Sequence, residues 1–167
     1  MDSVFPYKKV VVIGCCGAGK STFSKELAEK TGLPLFHLDN IYWKPDKSHL
    51  KHRAFLKEQR KIMRTDCWIM DGNYGKTMMH RLKRCEVVYF FDLPTADCLK
   101  GVMNREKKRS DIACELEPDE EFLDFIKSYQ EKSRPAILLR FSKFPKLNVI
   151  SFQSHEEVDR YLCSVST

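Results

Sequence analysis

Residues 14–21 read Gly-Cys-Cys-Gly-Ala-Gly-Lys-Ser, which places a lysine and a hydroxyl at the spacing Gly-x-x-x-x-Gly-Lys-Ser. Glycines allow the backbone to wrap an anion with its N–H groups, and a helix starting just behind them adds partial positive charge. In such a loop Gly14, Cys15, Cys16, Gly17, Ala18, Gly19, Lys20, Ser21 and Thr22 are expected to form the cradle for a nucleoside triphosphate. Lys20 would reach the β- and γ-phosphates, and the Ser21 hydroxyl would join the Mg²⁺ shell. An ordinary glycine-rich turn also matches the bare pattern, so the flanks decide. Before the loop, Lys8-Lys9-Val10-Val11-Val12-Ile13 reads as a buried strand. After it, Ser21–Lys30 carries Phe23 and Leu27 one helical turn apart and meets Thr31-Gly32, a helix end.

Strand-like and helical segments then alternate, the pattern of an α/β domain built on a parallel sheet. Pro34–Asp39 reads as a second strand, Lys51–Thr65 as a helix, Cys67–Asp71 as a third strand and Gly75–Lys83 as a short helix. Glu86–Asp92 contains Val87-Val88-Tyr89-Phe90-Phe91, suited to a strand covered on both faces. Pro94-Thr95 opens the next helix. Asp119 to about Ser133 reads as another, broken or kinked at Pro135, and Leu147–Phe152 as the last strand. Ser154-His155-Glu156-Glu157 matches a capping box for the final helix. Five parallel strands flanked by helices follow, with ligands expected at the carboxyl ends of the strands. Three of those ends finish in aspartate: Asp39, Asp71 and Asp92. Each alone is an ordinary turn former or helix cap. Together they are what phosphoryl transfer needs, a carboxylate near Mg²⁺ and another group to orient or deprotonate an acceptor hydroxyl.

Composition bounds the rest. The chain has 167 residues, enough for one domain, with 43% hydrophobic and 31% charged residues. No apolar run approaches the roughly 18 residues of a membrane span, and Met1-Asp2-Ser3-Val4 carries no secretory pattern, so a cytoplasmic protein is expected. The net charge of +6 suits polyanionic ligands, but the basic residues are dispersed, so nucleic-acid binding is expected to be weak or absent. Seven cysteines at irregular spacings, with no Cys-x-x-Cys pair, fit neither a disulfide framework nor a zinc site. Cys67, Cys85 and Cys98 are expected as small buried apolar groups, and the Cys15-Cys16 pair as incidental to a backbone-built site.

The motifs resemble those of the small P-loop kinases of the adenylate kinase and shikimate kinase type. Within them the chain looks like the bacterial adenylate-kinase-related proteins often labelled DNA topology modulation proteins. The matching stretches are residues 11–22, Leu33-Pro34-Leu35-Phe36-His37-Leu38-Asp39-Asn40-Ile41-Tyr42-Trp43-Lys44-Pro45, Trp68-Ile69-Met70-Asp71-Gly72-Asn73-Tyr74, Phe91-Asp92-Leu93-Pro94 and Ser133-Arg134-Pro135. The resemblance implies a P-loop fold in a single domain over 1–167, with a short lid at about 105–118 and an acceptor-binding region at about 39–65. It implies that Asp39 faces the acceptor, that Asp71 holds Mg²⁺ through water, that Arg105 and Arg109 are lid cations over the ATP phosphates, and that Arg134 is the arginine on the helix after the lid. One departure stands out. Adenylate kinases have Phe-Pro-Arg after Asp-Gly, and that arginine grips the AMP phosphate; here Asn73-Tyr74-Gly75 stand there, with Lys76 or Arg81 as substitutes. Tyr42, Trp43 and Tyr74 could stack on a base or sugar, or simply pack. The expected activity is an ATP- and Mg²⁺-dependent phosphotransferase acting on a small acceptor, with no membrane partner. The alternatives are a nucleotide-dependent DNA-associated regulator and a slow ATPase without a transfer substrate.

Overall fold

The strands line up in the order β2-β3-β1-β4-β5, all parallel. They are β1 (Lys9–Gly14), β2 (Leu35–His37), β3 (Trp68–Asp71), β4 (Val87–Phe91) and β5 (Asn148–Phe152). Helices α1 (Lys20–Thr31), α2 (Leu38–Tyr42), α3 (His52–Met63), α4 (Gly75–Leu82), α5 (Thr95–Met103), α6 (Glu120–Lys127), α7 (Tyr129–Phe141) and α8 (His155–Ser164) connect them. The computed structural model describes residues 5–104 and 119–165. The expected lid, with Arg105 and Arg109, therefore lies outside the described residues. Among the described residues no helix is long and apolar enough to cross a membrane.

The central strands are where the sequence is most apolar. Val10, Val11, Val12 and Ile13 of β1, all of β3 and all of β4 are buried, because β1, β3 and β4 have strand neighbours on both edges and helices over both faces. Phe23 of α1 anchors that helix by packing its ring against Tyr89, Phe91 and Phe152 at centroid distances of 4.9, 5.3 and 5.6 Å. Strand order runs outward in opposite directions from β1. The crevice at its carboxyl end is therefore the place where an open α/β sheet binds ligands.

Three boundaries differ from the sequence reading. β2 stops at His37 and the chain turns at once into α2, so Asp39 sits in the first turn of a helix rather than at a strand end. The helix after Asp119 ends at Ser128, where α7 begins, and α7 runs on through Pro135. The turn at Ser128 lets Ile126 and Tyr129 both enter the core, whereas Pro135 is exposed, on the side where water replaces a lost helical hydrogen bond. Of the expected capping box one half is present, Ser154 Oγ accepting from the Glu157 N–H at 3.3 Å, while the Glu157 carboxylate accepts from the Gln153 N–H at 2.8 Å.

The phosphate loop is wedged against α5 by two glycines. A Cβ on Gly17, whose φ is +82°, would lie 2.0 Å from the Cys98 carbonyl oxygen, and a Cβ on Gly101 would lie 1.9 Å from the Gly17 carbonyl oxygen. No side chain fits between these backbones, so the loop's position is set by α5 as much as by β1. Gly101→Ala should therefore displace the loop and destabilise the protein by about 1–3 kcal/mol, as read by urea unfolding, with nucleotide affinity lowered in parallel.

Candidate functional site

The loop that follows β1 leads directly into α1. Lys20, the first residue of α1, bends its Nζ back to donate to the Cys15 carbonyl at 2.8 Å, holding the ammonium across the mouth of the loop. The next residue, Ser21, donates its hydroxyl to Oδ2 of Asp71 at 2.8 Å. Asp71 ends β3, and its backbone pairs in register with Val12 of β1 on one side and His37 of β2 on the other. The same Oδ2 is also 2.8 Å from His37 Nδ1. Burial pushes the Asp71 carboxyl up, but the His37 hydrogen bond, the Lys20 charge and the Ser21 hydroxyl outweigh it and hold it below the usual carboxylate range. Asp71 is thus an anion at neutral pH although it is only 5% exposed.

A hydroxyl and an ionised carboxylate sharing one bond beside the phosphate loop are hard oxygen donors of the kind Mg²⁺ takes, directly or through water. Ser21 and Asp71 fit that role. The Cys15 thiol is unsuited to metal or redox chemistry: its hydrogen bond with Cys98 and its burial push it well above the usual thiol range, so it stays protonated. Burial pushes the half-buried Cys85 up to about 12, and Cys67 is also only half-buried, so Cys98 alone of the three expected apolar cysteines is fully buried.

The Asp71-Gly72-Asn73-Tyr74 turn sends its side chains in three directions. Asp71 faces Ser21 and His37. Asn73 reaches the phosphate loop, its Oδ1 accepting from Gly14 N–H at 2.9 Å and its Nδ2 donating to the Gly14 carbonyl at 2.7 Å. Tyr74 donates its hydroxyl to Asp39. Tyr74 is left-handed, with φ +42° and ψ +67°, a conformation uncommon for a bulky residue. That geometry lays its ring on Tyr42 and Phe55, with centroids 5.0 and 4.8 Å away, and its carbonyl caps the start of α4. Tyr42 also stacks on His49 at 4.8 Å, so the aromatic residues of 42–74 pack chiefly on one another.

Arg81 is not the substitute phosphate clamp that its position in the sequence suggested. It is fully buried, donating to the carbonyls of Gly72, at 2.6 Å, and Asn73 from beneath the turn. Arg134 meets Asp92 instead of open cleft: Nε and Nη2 each donate to one carboxylate oxygen at 2.7 Å. Asp39, in the first turn of α2, and Tyr74, at the start of α4, pair with one another. A cavity of about 380 Å³ opens beside the phosphate loop, its lining including Gly17, Gly19, Thr22, Lys100, Asn104 and His155. His37, Asn73 and His155 went unassigned in the sequence reading. His37 lies inside the stretch read as the second strand, and it meets Asp71 only through the register of the sheet; nothing in the spacing pointed to Asn73 or His155.

A parallel sheet ordered 2-3-1-4-5 thus brings a phosphate loop at the end of its central strand beside a carboxylate at the end of the neighbouring one. The fold is the P-loop kinase fold of shikimate kinases. The chain superposes on the shikimate kinase of Bacteroides thetaiotaomicron with a TM-score of 0.58 at 16% identity, covering 94% of this chain and 95% of that one. It superposes on the shikimate kinase of Acinetobacter baumannii in complex with shikimate with a TM-score of 0.60 at 15% identity, covering 94% and 92%. No family model and no curated protein matches the chain. At such identities the likeness to shikimate kinases is one of fold.

The buried Asp71 anion gives a test with a defined sign. Its carboxyl is held below the unfolded value of about 4, so its contribution to stability is complete above that pH and is lost as the pH falls through the lower folded value. Asp71→Asn should cost about 1–3 kcal/mol at pH 7, and the gap to the parent should close as urea unfolding is repeated toward about pH 3.

Proposed function

We propose that this chain is an ATP- and Mg²⁺-dependent phosphotransferase that acts on a small acceptor bound beside Asp39 and Tyr74. The observation that carries the reading is the Ser21–Asp71 hydrogen bond at the exit of the phosphate loop, next to Lys20. A loop that only gripped phosphate would have no use for a buried, ionised carboxylate at that point. The likeness to shikimate kinases, one of them described with shikimate, supports transfer to a small molecule.

In this reading the loop N–H groups and Lys20 hold the β- and γ-phosphates. Lys20 exchanges its bond to the Cys15 carbonyl for phosphate oxygen when the nucleotide enters. The base and sugar occupy the cavity beside His155 and Asn104. Ser21 and Asp71 would hold Mg²⁺, which would supply positive charge against the phosphate oxygens. Asp39, exposed and already accepting from Tyr74, orients the acceptor hydroxyl or takes its proton. Arg105 and Arg109 add cations over the phosphates, and Arg134 retains Nη1 as a donor while Asp92 holds its other two. Catalysis is positioning and electrostatics, as phosphoryl transfer requires. The cytoplasm is the compartment this reading implies. The regulator reading has less support, because Arg81 lies buried on carbonyls and Arg134 on Asp92, so neither adds to a basic nucleic-acid surface.

Two variants separate the roles. Lys20→Ala should fold normally and lose roughly 10²-fold or more in turnover of Mg·ATP. Asp39→Asn should bind Mg·ATP within a few-fold of the parent and lose roughly 10²-fold in transfer, the scale of a lost general base. Calorimetric titration with Mg·ATP and a coupled assay over nucleoside monophosphates, nucleosides and hydroxy acids check both. Unchanged turnover in Lys20→Ala would overturn the phosphate-loop assignment.

A further inference from the structure

The reciprocal pair between Asn73 and Gly14 has a geometric origin. In a parallel sheet, a residue turns its N–H and C=O toward the same neighbouring strand, and alternate residues turn the same way. Val12 faces β3, where its carbonyl accepts from the Gly72 N–H at 3.1 Å. Gly14, two residues on, faces the same side, but β3 has already ended at Asp71. The ladder position opposite Gly14 therefore has no strand to fill it. The Asn73 carboxamide takes the place of the missing peptide, accepting from Gly14 N–H and donating to Gly14 C=O. A carboxamide is the side-chain group with one donor and one acceptor side by side in the geometry of a peptide. The orientation of its oxygen and nitrogen is fixed, because the Gly14 N–H can only donate.

The position of this pair in the chain matters more than its strength. Gly14 is the first residue of the phosphate loop. One residue after Asn73, Tyr74 bonds Asp39, and two residues before it, Asp71 bonds Ser21. The turn backbone is held from beneath by Arg81. Asn73 is thus a rigid strut between the element that holds the phosphoryl donor and the residues offered to the acceptor.

Resting on the phosphotransferase reading, we infer that Asn73 is a positioning residue that ties the acceptor side of the cleft to the state of the phosphate loop. When the loop closes on a nucleotide, the movement of Gly14 reaches Tyr74 and the start of α4 through the Asn73 carboxamide. Asn73 touches neither nucleotide nor acceptor. Its loss leaves nucleotide binding in place and disconnects the acceptor side from it.

Amide hydrogen exchange on the full chain tests this, using the non-hydrolysable analogue AMP-PNP with Mg²⁺ as the probe. In the parent, AMP-PNP·Mg²⁺ should slow exchange at residues 14–22 and also at 74–78. In the ligand-free Asn73→Ala protein, the Gly14 amide should exchange about tenfold or more faster, the scale of one lost hydrogen bond. With the probe, that variant should keep its affinity within about threefold and its protection at 14–22, since the phosphate-binding N–H groups are untouched. Its protection at 74–78 should fall to the ligand-free level. Asn73→Asp keeps the acceptor for Gly14 N–H but places an oxygen against the Gly14 carbonyl, so it should also lose the protection at 74–78. It decides the question if Asn73→Ala does not fold. A uniform acceleration over the whole sheet, or full protection at 74–78 in both variants, would overturn the inference and leave Asn73 a staple of the fold. If the parent itself gave no response to AMP-PNP·Mg²⁺, the phosphotransferase reading would fall and the coupling with it. A responding parent with unaltered variants would overturn the Asn73 role alone.

Discussion

A guanidinium buried without a carboxylate must find carbonyl oxygens, and Arg81 finds those of Gly72 and Asn73. Burial lowers its pKa to about 10, still well above neutrality, so the charge persists inside the fold. A buried cation on α4 leaves the turn before that helix little freedom, since moving either carbonyl would strand the charge. From this one constraint the arrangement of the cleft follows. With the turn fixed, Asp71 reaches Ser21 and His37, Asn73 reaches Gly14, and Tyr74 is forced left-handed onto Asp39. Three residues of one turn thereby reach Ser21, Gly14 and Asp39.

The charges are arranged before any ligand arrives. Lys20 is tethered to Cys15, and Asp71 is kept ionised by His37 at the end of β2 and by Lys20 and Ser21 at the start of α1. Preorganised groups of this kind need no reorientation during reaction, which is how a site can stabilise charge on a transferring phosphoryl group. The close approach of Gly17 to Cys98 and of Gly101 to Gly17 adds a steric link from the phosphate loop to α5, the helix that leads into residues 105–118. The loop is therefore bounded on one side by a hydrogen-bonded strut and on the other by backbone contact.

Much of this was legible in the sequence because it is written locally. The phosphate loop is eight consecutive residues, the central strands are short apolar runs, and the last helix is announced by Ser154 and Glu157. Local signals also misled. The apolar run into Asp39 continues past the early turn at His37, and Pro135 is the stronger local break signal although the chain bends at Ser128, burying Ile126 and Tyr129. The roles of His37, Asn73 and Arg81 could not be read locally. The first two depend on strand register, which brings together residues tens of positions apart: His37 with Asp71 and Gly14 with Asn73. Arg81 looked like a phosphate ligand because an arginine's burial depends on the packing around it, which sequence spacing does not reveal.

The central claim is that the γ-phosphoryl group of ATP leaves this site attached to an acceptor molecule. Incubation with Mg·ATP labelled in the γ-phosphate, across separate nucleoside monophosphates, nucleosides and small hydroxy acids, measures that transfer directly. The account predicts label in at least one acceptor with the parent chain, and none with Lys20→Ala. Label appearing only as inorganic phosphate, at a rate indifferent to every acceptor, would contradict it and make the protein an ATPase.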